Sequence, residues 1–237
     1  MKTTLLLTLV LLLGGSVVIA QEQKPAEPEH KLIQFQLALL KRGPKFTPNP
    51  GKDVPETQKQ HVAYVQSLIN SDKLVIAGRI KDDEELEAVY IFRTTSAEEA
   101  QTWINADPAV AGGYLVPELH PWWSEDVMKK IKVTTPAKLT TAYLAFLTRG
   151  EKWSAEKTAA SAEIQKAHLA NIQKLAEMKK LVVAGPFGDN GTLRGIFVFK
   201  VGSLEEARAL AATDPAVQAG RLALQIHPWL IPEGILP

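Results

Sequence analysis

Five histidines, His30, His61, His120, His168 and His227, hold most of the capacity for proton chemistry near neutral pH in this 237-residue sequence. An imidazole titrates near pH 6.5, and beside a carboxylate it can take and return a proton at neutral pH. Lyase or isomerase chemistry on a small acidic carbon needs such a group. His168 is the sharpest candidate, and the opposing account is a half-buried helix histidine bonded to a neighbouring carbonyl. His120 and His227 each precede Pro-Trp, so they could line a cleft in which Trp122 or Trp229 stacks on a flat ring. A strand-end aromatic is also commonly core or barrel rim. Asp107 and Asp214 stand before proline and read as turn or cap residues. Arg79 would bring a positive charge to an approaching anion, or is simply solvated.

Other chemistries find little support. The histidines show no i, i+4 pair and no His-x-His, so no metal site is expected. There is no Gly-rich phosphate loop, no Gly-x-Ser-x-Gly nucleophile elbow and no sign of a cofactor. Absent cysteine excludes disulfides, thiolate zinc sites, iron–sulfur clusters and a cysteine nucleophile. Asn190-Gly191-Thr192 matches a glycosylation acceptor, but a hairpin turn accounts for it equally.

The elements that must position these residues are written twice. His61-Val62-Ala63-Tyr64-Val65-Gln66-Ser67-Leu68 lies over His168-Leu169-Ala170-Asn171-Ile172-Gln173-Lys174-Leu175, an offset of 168 − 61 = 107. The same offset sets Lys73 to Gly78 over Lys180 to Gly185, Ser96 to Ala100 over Ser203 to Ala207, Asp107-Pro108 over Asp214-Pro215, and His120-Pro121-Trp122 over His227-Pro228-Trp229. A tandem duplication follows, with repeats over 31–123 and 137–237 and a linker over 124–136. Each copy reads as β-α-β-β-α-β. Apolar runs end at Arg42-Gly43 and Arg149-Gly150, and His61, Val65 and Leu68 recur at the period of one buried helix face. Short strands follow at Leu74 to Ile80 and Leu181 to Phe187. Ser96 with Glu99, and Ser203 with Glu206, have the spacing of capping boxes. The second helices should stop before Asp-Pro. This α+β order is the ferredoxin-like split βαβ unit, one face of whose sheet is left apolar and uncovered. Two copies can bury those faces on each other as an intramolecular dimeric α+β barrel, so the chain is expected to be a monomer with an internal pseudo-dimer.

Met1 to Ala20 has the layout of a secretory signal: Lys2, the apolar run Leu5 to Leu13, then small residues before Gln21. The apolar core is shorter than the ~20 residues of a membrane span, so cleavage near Ala20 and a periplasmic or secreted destination are expected, with no membrane contact afterwards. Residues 21–30 are a polar lead-in expected to be disordered. The whole chain has 27 basic and 26 acidic residues, and removing Lys2 leaves 26 of each. Such neutrality argues against a nucleic-acid partner.

The ordered motifs resemble the YCII-related (YciI-like) family. Copy two carries His168-Leu169, Ala184-Gly185-Pro186, Asp189, Ser203 to Ala207, Asp214-Pro215, Gly220 and Pro228-Trp229. Copy one carries His61, Ala77-Gly78, Asp82, Ser96 to Ala100, Asp107-Pro108, Gly113 and Pro121-Trp122, departing at Arg79, where the family has proline. The resemblance implies the dimeric α+β barrel fold. It also implies an acid–base pair of His168 with Asp189, which would orient the ring, and a weaker equivalent in His61 with Asp82. On this basis the chain is expected to be an exported lyase or isomerase acting on a small cyclic or aromatic compound, with copy one a weaker or structural partner. The alternative is a non-catalytic small-molecule or protein-binding module.

Overall fold

The alternation of apolar residues along the first strand of each copy settles two cores at once. The computed structural model describes residues 31–48, 55–134 and 136–237. The expected signal peptide, the lead-in and His30 lie outside the described residues. In β1 (Ile33–Arg42), Phe35, Leu37 and Leu39 enter one buried cluster while Ala38 and Leu40 enter another. In β5 (Leu139–Arg149), Ala142, Leu144 and Phe146 join that first cluster while Ala145 and Leu147 enter a third. Successive side chains of a strand point to opposite faces, so each strand builds a shared interior and a separate helix-covered layer.

Copy one continues with α1 (Glu56–Asn70), β2 (Leu74–Ile80), β3 (Leu86–Phe92), α2 (Ala97–Asn105), α3 (Pro108–Ala111) and β4 (Leu115–Ser124). Copy two repeats the series as α4 (Ala159–Glu177), β6 (Leu181–Pro186), β7 (Leu193–Phe199), α5 (Leu204–Ala211), α6 (Pro215–Gln218) and β8 (Leu222–Pro232). The short helices α3 and α6 were not expected. Asp-Pro ends one helix and starts the next, because proline at the first helical position has no N–H to leave unsatisfied. Ser96 and Ser203 cap α2 and α5 through the N–H groups of Glu99 and Glu206, half of the expected capping box. The glutamates turn elsewhere: Glu99 accepts from the Thr94 hydroxyl at 2.5 Å and Glu206 from the Gly202 N–H at 3.0 Å. The β2–β3 turn needs no glycine, since the Asp83 carboxylate accepts the N–H groups of Glu85 and Leu86 at 2.8 and 2.7 Å.

All strand pairs are antiparallel in one sheet of order β4-β1-β3-β2-β8-β5-β7-β6. The copies join where Arg79 and Ile80 pair with Leu230 and Trp229. The sheet curls until its ends meet at the related place: Trp122 bridges Phe187, and the Gly188 N–H donates to Pro121 O at 2.9 Å. The two apolar faces are thereby buried as the interior of an α+β barrel. Among the described residues no helix is long and apolar enough to cross a membrane.

Both seams depend on glycine. A Cβ on Gly185 would fall 1.8 Å from Trp123 O, and one on Gly78 would fall 2.0 Å from Trp229 Nε1. The Ala-Gly of each copy is thus where the last strand of the other copy passes in contact. Gly185→Ala is expected to cost about 2 kcal/mol or more by forcing the seam open. In thermal denaturation that is a fall in Tm of roughly 4–8 °C for a chain of this size. Gly202→Ala, whose new methyl would meet nothing nearer than 3.7 Å, serves as the control. Equal melting of the two variants would refute the close-approach account of Gly185.

Candidate functional site

Four of the five histidines fall within the described residues, and each is held through Nδ1 by an aspartate. The partners differ from those expected. His61 lies on the sheet-facing side of α1, with Nδ1 2.7 and 2.9 Å from the Asp107 carboxylate oxygens. His168 on α4 stands 2.7 Å from Asp214 Oδ2. Both aspartates are buried and also cap the short helices: Asp107 Oδ1 accepts the Ala109 N–H at 2.8 Å, and Asp214 Oδ1 accepts that of Ala216 at 2.9 Å. The cap reading of Asp107 and Asp214 therefore holds, but each carboxylate has a second task. The pairing through Nδ1 leaves Nε2 as the ring nitrogen not engaged by the aspartate.

Asp189 and Asp82, expected beside His168 and His61, pair across the copies instead. Asp189 Oδ2 lies 2.6 Å from His120 Nδ1, and Asp82 Oδ1 lies 2.9 Å from His227 Nδ1. The closure of the sheet is the reason. The turn after β6 lies beside β4, and the turn after β2 beside β8, so each turn aspartate meets the last strand of the other copy. His120 and His227 stand opposite Leu37 and Leu144, hence on the interior face, where their rings meet Phe187 and Phe146 edge-on. Glu118 Oε1 lies 3.1 Å from His120 Nε2 without the alignment of a hydrogen bond.

Trp122 and Trp229 are not stacking platforms. Both are fully buried, Trp122 donating to Gly185 O at 3.0 Å, so no ligand ring reaches them. His227 borders a shallow depression of about 480 Å³ with Asp82, Asp83 and Arg208.

A more apolar cleft of about 450 Å³ opens between α1 and the helix-side face of β2 and β3 of copy one, with Leu139 and Leu230 of copy two at its border. Its walls include His61, Phe46, Tyr90, Tyr114, Arg79 and Glu87. Arg79 is not a free charge, because its Nε lies 2.6 Å from Glu87 Oε1. Burial, reinforced by the nearby charges of Asp107 and Glu87, pushes the Tyr90 hydroxyl far above its ordinary pKa, so it stays protonated. Among the described residues no group of three or more His, Asp or Glu side chains is arranged to hold a metal ion.

The YCII-related domain matches this chain over residues 37–122 and again over 142–230. The uncharacterized protein YjpA of Bacillus subtilis (strain 168) is 33% identical over 87 residues, which cover 37% of this chain and 92% of that protein. Among solved structures, an arginine-to-lysine variant of chlorite dismutase from Candidatus Nitrospira defluvii aligns with TM-score 0.54 and 11% identity, covering 85% of this chain and 92% of its own. A protein from Lactobacillus acidophilus NCFM, described as a candidate monooxygenase, aligns with TM-score 0.51 and 13% identity over 86% of this chain and all of its own. At such identities these two likenesses concern the fold alone.

The cross-copy pair makes acid stability a measurable property. Burial works to raise the Asp189 pKa, but hydrogen bonds from His120 and the Gly191 N–H, with the Arg194 charge, hold it below the ordinary value. A carboxyl lowered by folding adds stability above its unfolded pKa of about 3.9 and loses it as pH falls through the folded value. Asp189→Asn should therefore be less stable than wild type at pH 7 by roughly 1 kcal/mol, and the gap in denaturant titrations should narrow below about pH 4. A constant gap down to pH 3 would show that the Asp189 charge does not support the seam.

Proposed function

The chain belongs to the YCII-related domain family in both of its halves, and from that footing we propose that it binds a small cyclic or aromatic compound in the copy-one cleft and transfers a proton there, as a lyase or isomerase does. The observation that carries this is a carboxylate-oriented imidazole, His61 on Asp107, in the wall of a cavity of about 450 Å³. A volume of this order suits a small ligand. The largely apolar wall would hold the ring, and the Tyr90 hydroxyl is a donor able to bond a substrate oxygen.

In the reaction, His61 Nε2 takes the proton from an acidic carbon of the substrate while Asp107 stabilises the imidazolium that forms. The same proton returns to another carbon in an isomerisation, or to the leaving group in an elimination. The cleft lies at the copy-one dyad, so copy one is the working half in this proposal and copy two, with His168 on Asp214, the counterpart. We also propose, from Met1 to Ala20, that the chain acts outside the cytoplasm after removal of that segment.

A thermal-shift screen of small cyclic and aromatic compounds on residues 21–237 should find ligands, and some should be consumed. His61→Gln should keep the ligand-induced shift while lowering turnover by about 10²–10⁴-fold, the usual contribution of a positioned general base. Undiminished turnover in that variant would remove His61 from the chemistry. Ligands that bind but are never consumed would leave a binding module.

A further inference from the structure

The copy-two residues that correspond to one wall of the copy-one cleft carry a different charge. At copy-one positions, Arg42 lies over the Phe46 ring at 4.8 Å and is neutralised by Glu87, its Nε 3.1 Å from Oε2; Tyr114 completes the group. The residues 107 positions further on are Arg149, Trp153, Arg194 and Arg221. The acid has become Arg194 and the tyrosine has become Arg221. All three guanidinium carbons lie around the Trp153 ring, at 5.6, 4.8 and 5.5 Å from its centroid for Arg149, Arg194 and Arg221.

None of the three forms an ion pair within 4 Å among the described residues. They donate to backbone carbonyls instead: Arg149 to Asn190 O at 2.6 Å, Arg194 to Asp189 O at 3.4 Å, and Arg221 to Ser154 O at 2.8 Å. Those bonds fix the side chains while leaving most N–H groups unused, since each guanidinium has five. Arg149 is exposed, and Arg194, Arg221 and Trp153 are half-buried, so the group is reachable from solvent.

We propose that Arg149, Arg194 and Arg221 around Trp153 form an oxyanion-binding site for a carboxylate or phosphate group carried by a small molecule. Fixed guanidinium groups with no carboxylate oxygen within ion-pair distance, Asp189 acting on Arg194 only from farther off, supply the paired donors that such oxygens accept. The indole adds an aromatic surface beside the charge. Copy one has Glu87 in the corresponding place, a carboxylate that already pairs with Arg42 and Arg79 and competes with any incoming anion. The site belongs to copy two and stands whether or not a proton is transferred at His61.

Benzoate, phenyl phosphate and neutral benzyl alcohol are titrated into residues 21–237 at low ionic strength, with the indole N–H signal of Trp153, assigned through Trp153→Phe, as the reporter. Saturable shifts from either anion and none from benzyl alcohol are expected, and the tighter of the two anions identifies carboxylate or phosphate as the preferred group. Arg194→Glu and Arg221→Tyr, which install the copy-one residues, should each weaken binding by about tenfold or more, as loss of a charge-assisted hydrogen bond does. His61→Gln should bind the anion unchanged, which separates this site from the copy-one chemistry. Lys166→Glu makes the charge change of Arg194→Glu on the exposed face of α4, and circular dichroism with melting checks the fold of each variant. Equal weakening by Lys166→Glu, undiminished binding in a folded Arg194→Glu or Arg221→Tyr, or no saturable shift with either anion would overturn the proposal.

Discussion

Everything in this molecule depends on how closely the last strand of each copy approaches the Ala-Gly strand of the other. At Gly78 and Gly185 there is no room for a methyl group, because the indole of Trp229 in one case and the backbone of Trp123 in the other occupy that space. This contact does three things at once. It brings Ile80 beside Trp229 and Phe187 beside Trp122, so the sheet closes. It seals both tryptophans inside a shared apolar interior, which is the main favourable term available to a chain without disulfides. It also carries the turns holding Asp82 and Asp189 to the histidines of the opposite copy.

Duplication separates two kinds of histidine that look alike in the sequence. His61 and His168 are held within their own copy by aspartates that already cap a helix, a rigid arrangement because the carboxylate is buried and doubly bonded. His120 and His227 are held by aspartates of the opposite copy, so their geometry depends on closure. The first kind orients an imidazole towards the helix-side layer, whereas the second ties the two halves together. The two copies differ in the charged residues of this layer. Copy one pairs Arg79 and Arg42 with Glu87, while copy two gathers arginines around Trp153.

Much of the fold was legible in the residue order. The offset of 107, the apolar alternation of β1 and β5, and the serines before α2 and α5 are local or periodic signals, and they translate directly into strands, helices and caps. The site was legible only in part. All the participating histidines and aspartates stood out, yet His168 was matched with Asp189 in place of Asp214. Because the repeats align without a gap, the interval from His to either aspartate is the same in both copies, and spacing offers no means of choosing. The tryptophans misled for a related reason, since an aromatic at a strand end fills a core or faces a ligand according to what covers it.

By itself the sequence determined the α+β repeat, its elements and the histidines and aspartates that pair in it, because propensity, periodicity and side-chain chemistry are properties of the chain. The tertiary structure alone decided which aspartate each histidine meets, that Trp122 and Trp229 lie inside, and that a cleft opens at His61. Those outcomes rest on contacts between residues far apart in sequence, set by the curl of one sheet and by the absence of a Cβ at Gly78 and Gly185.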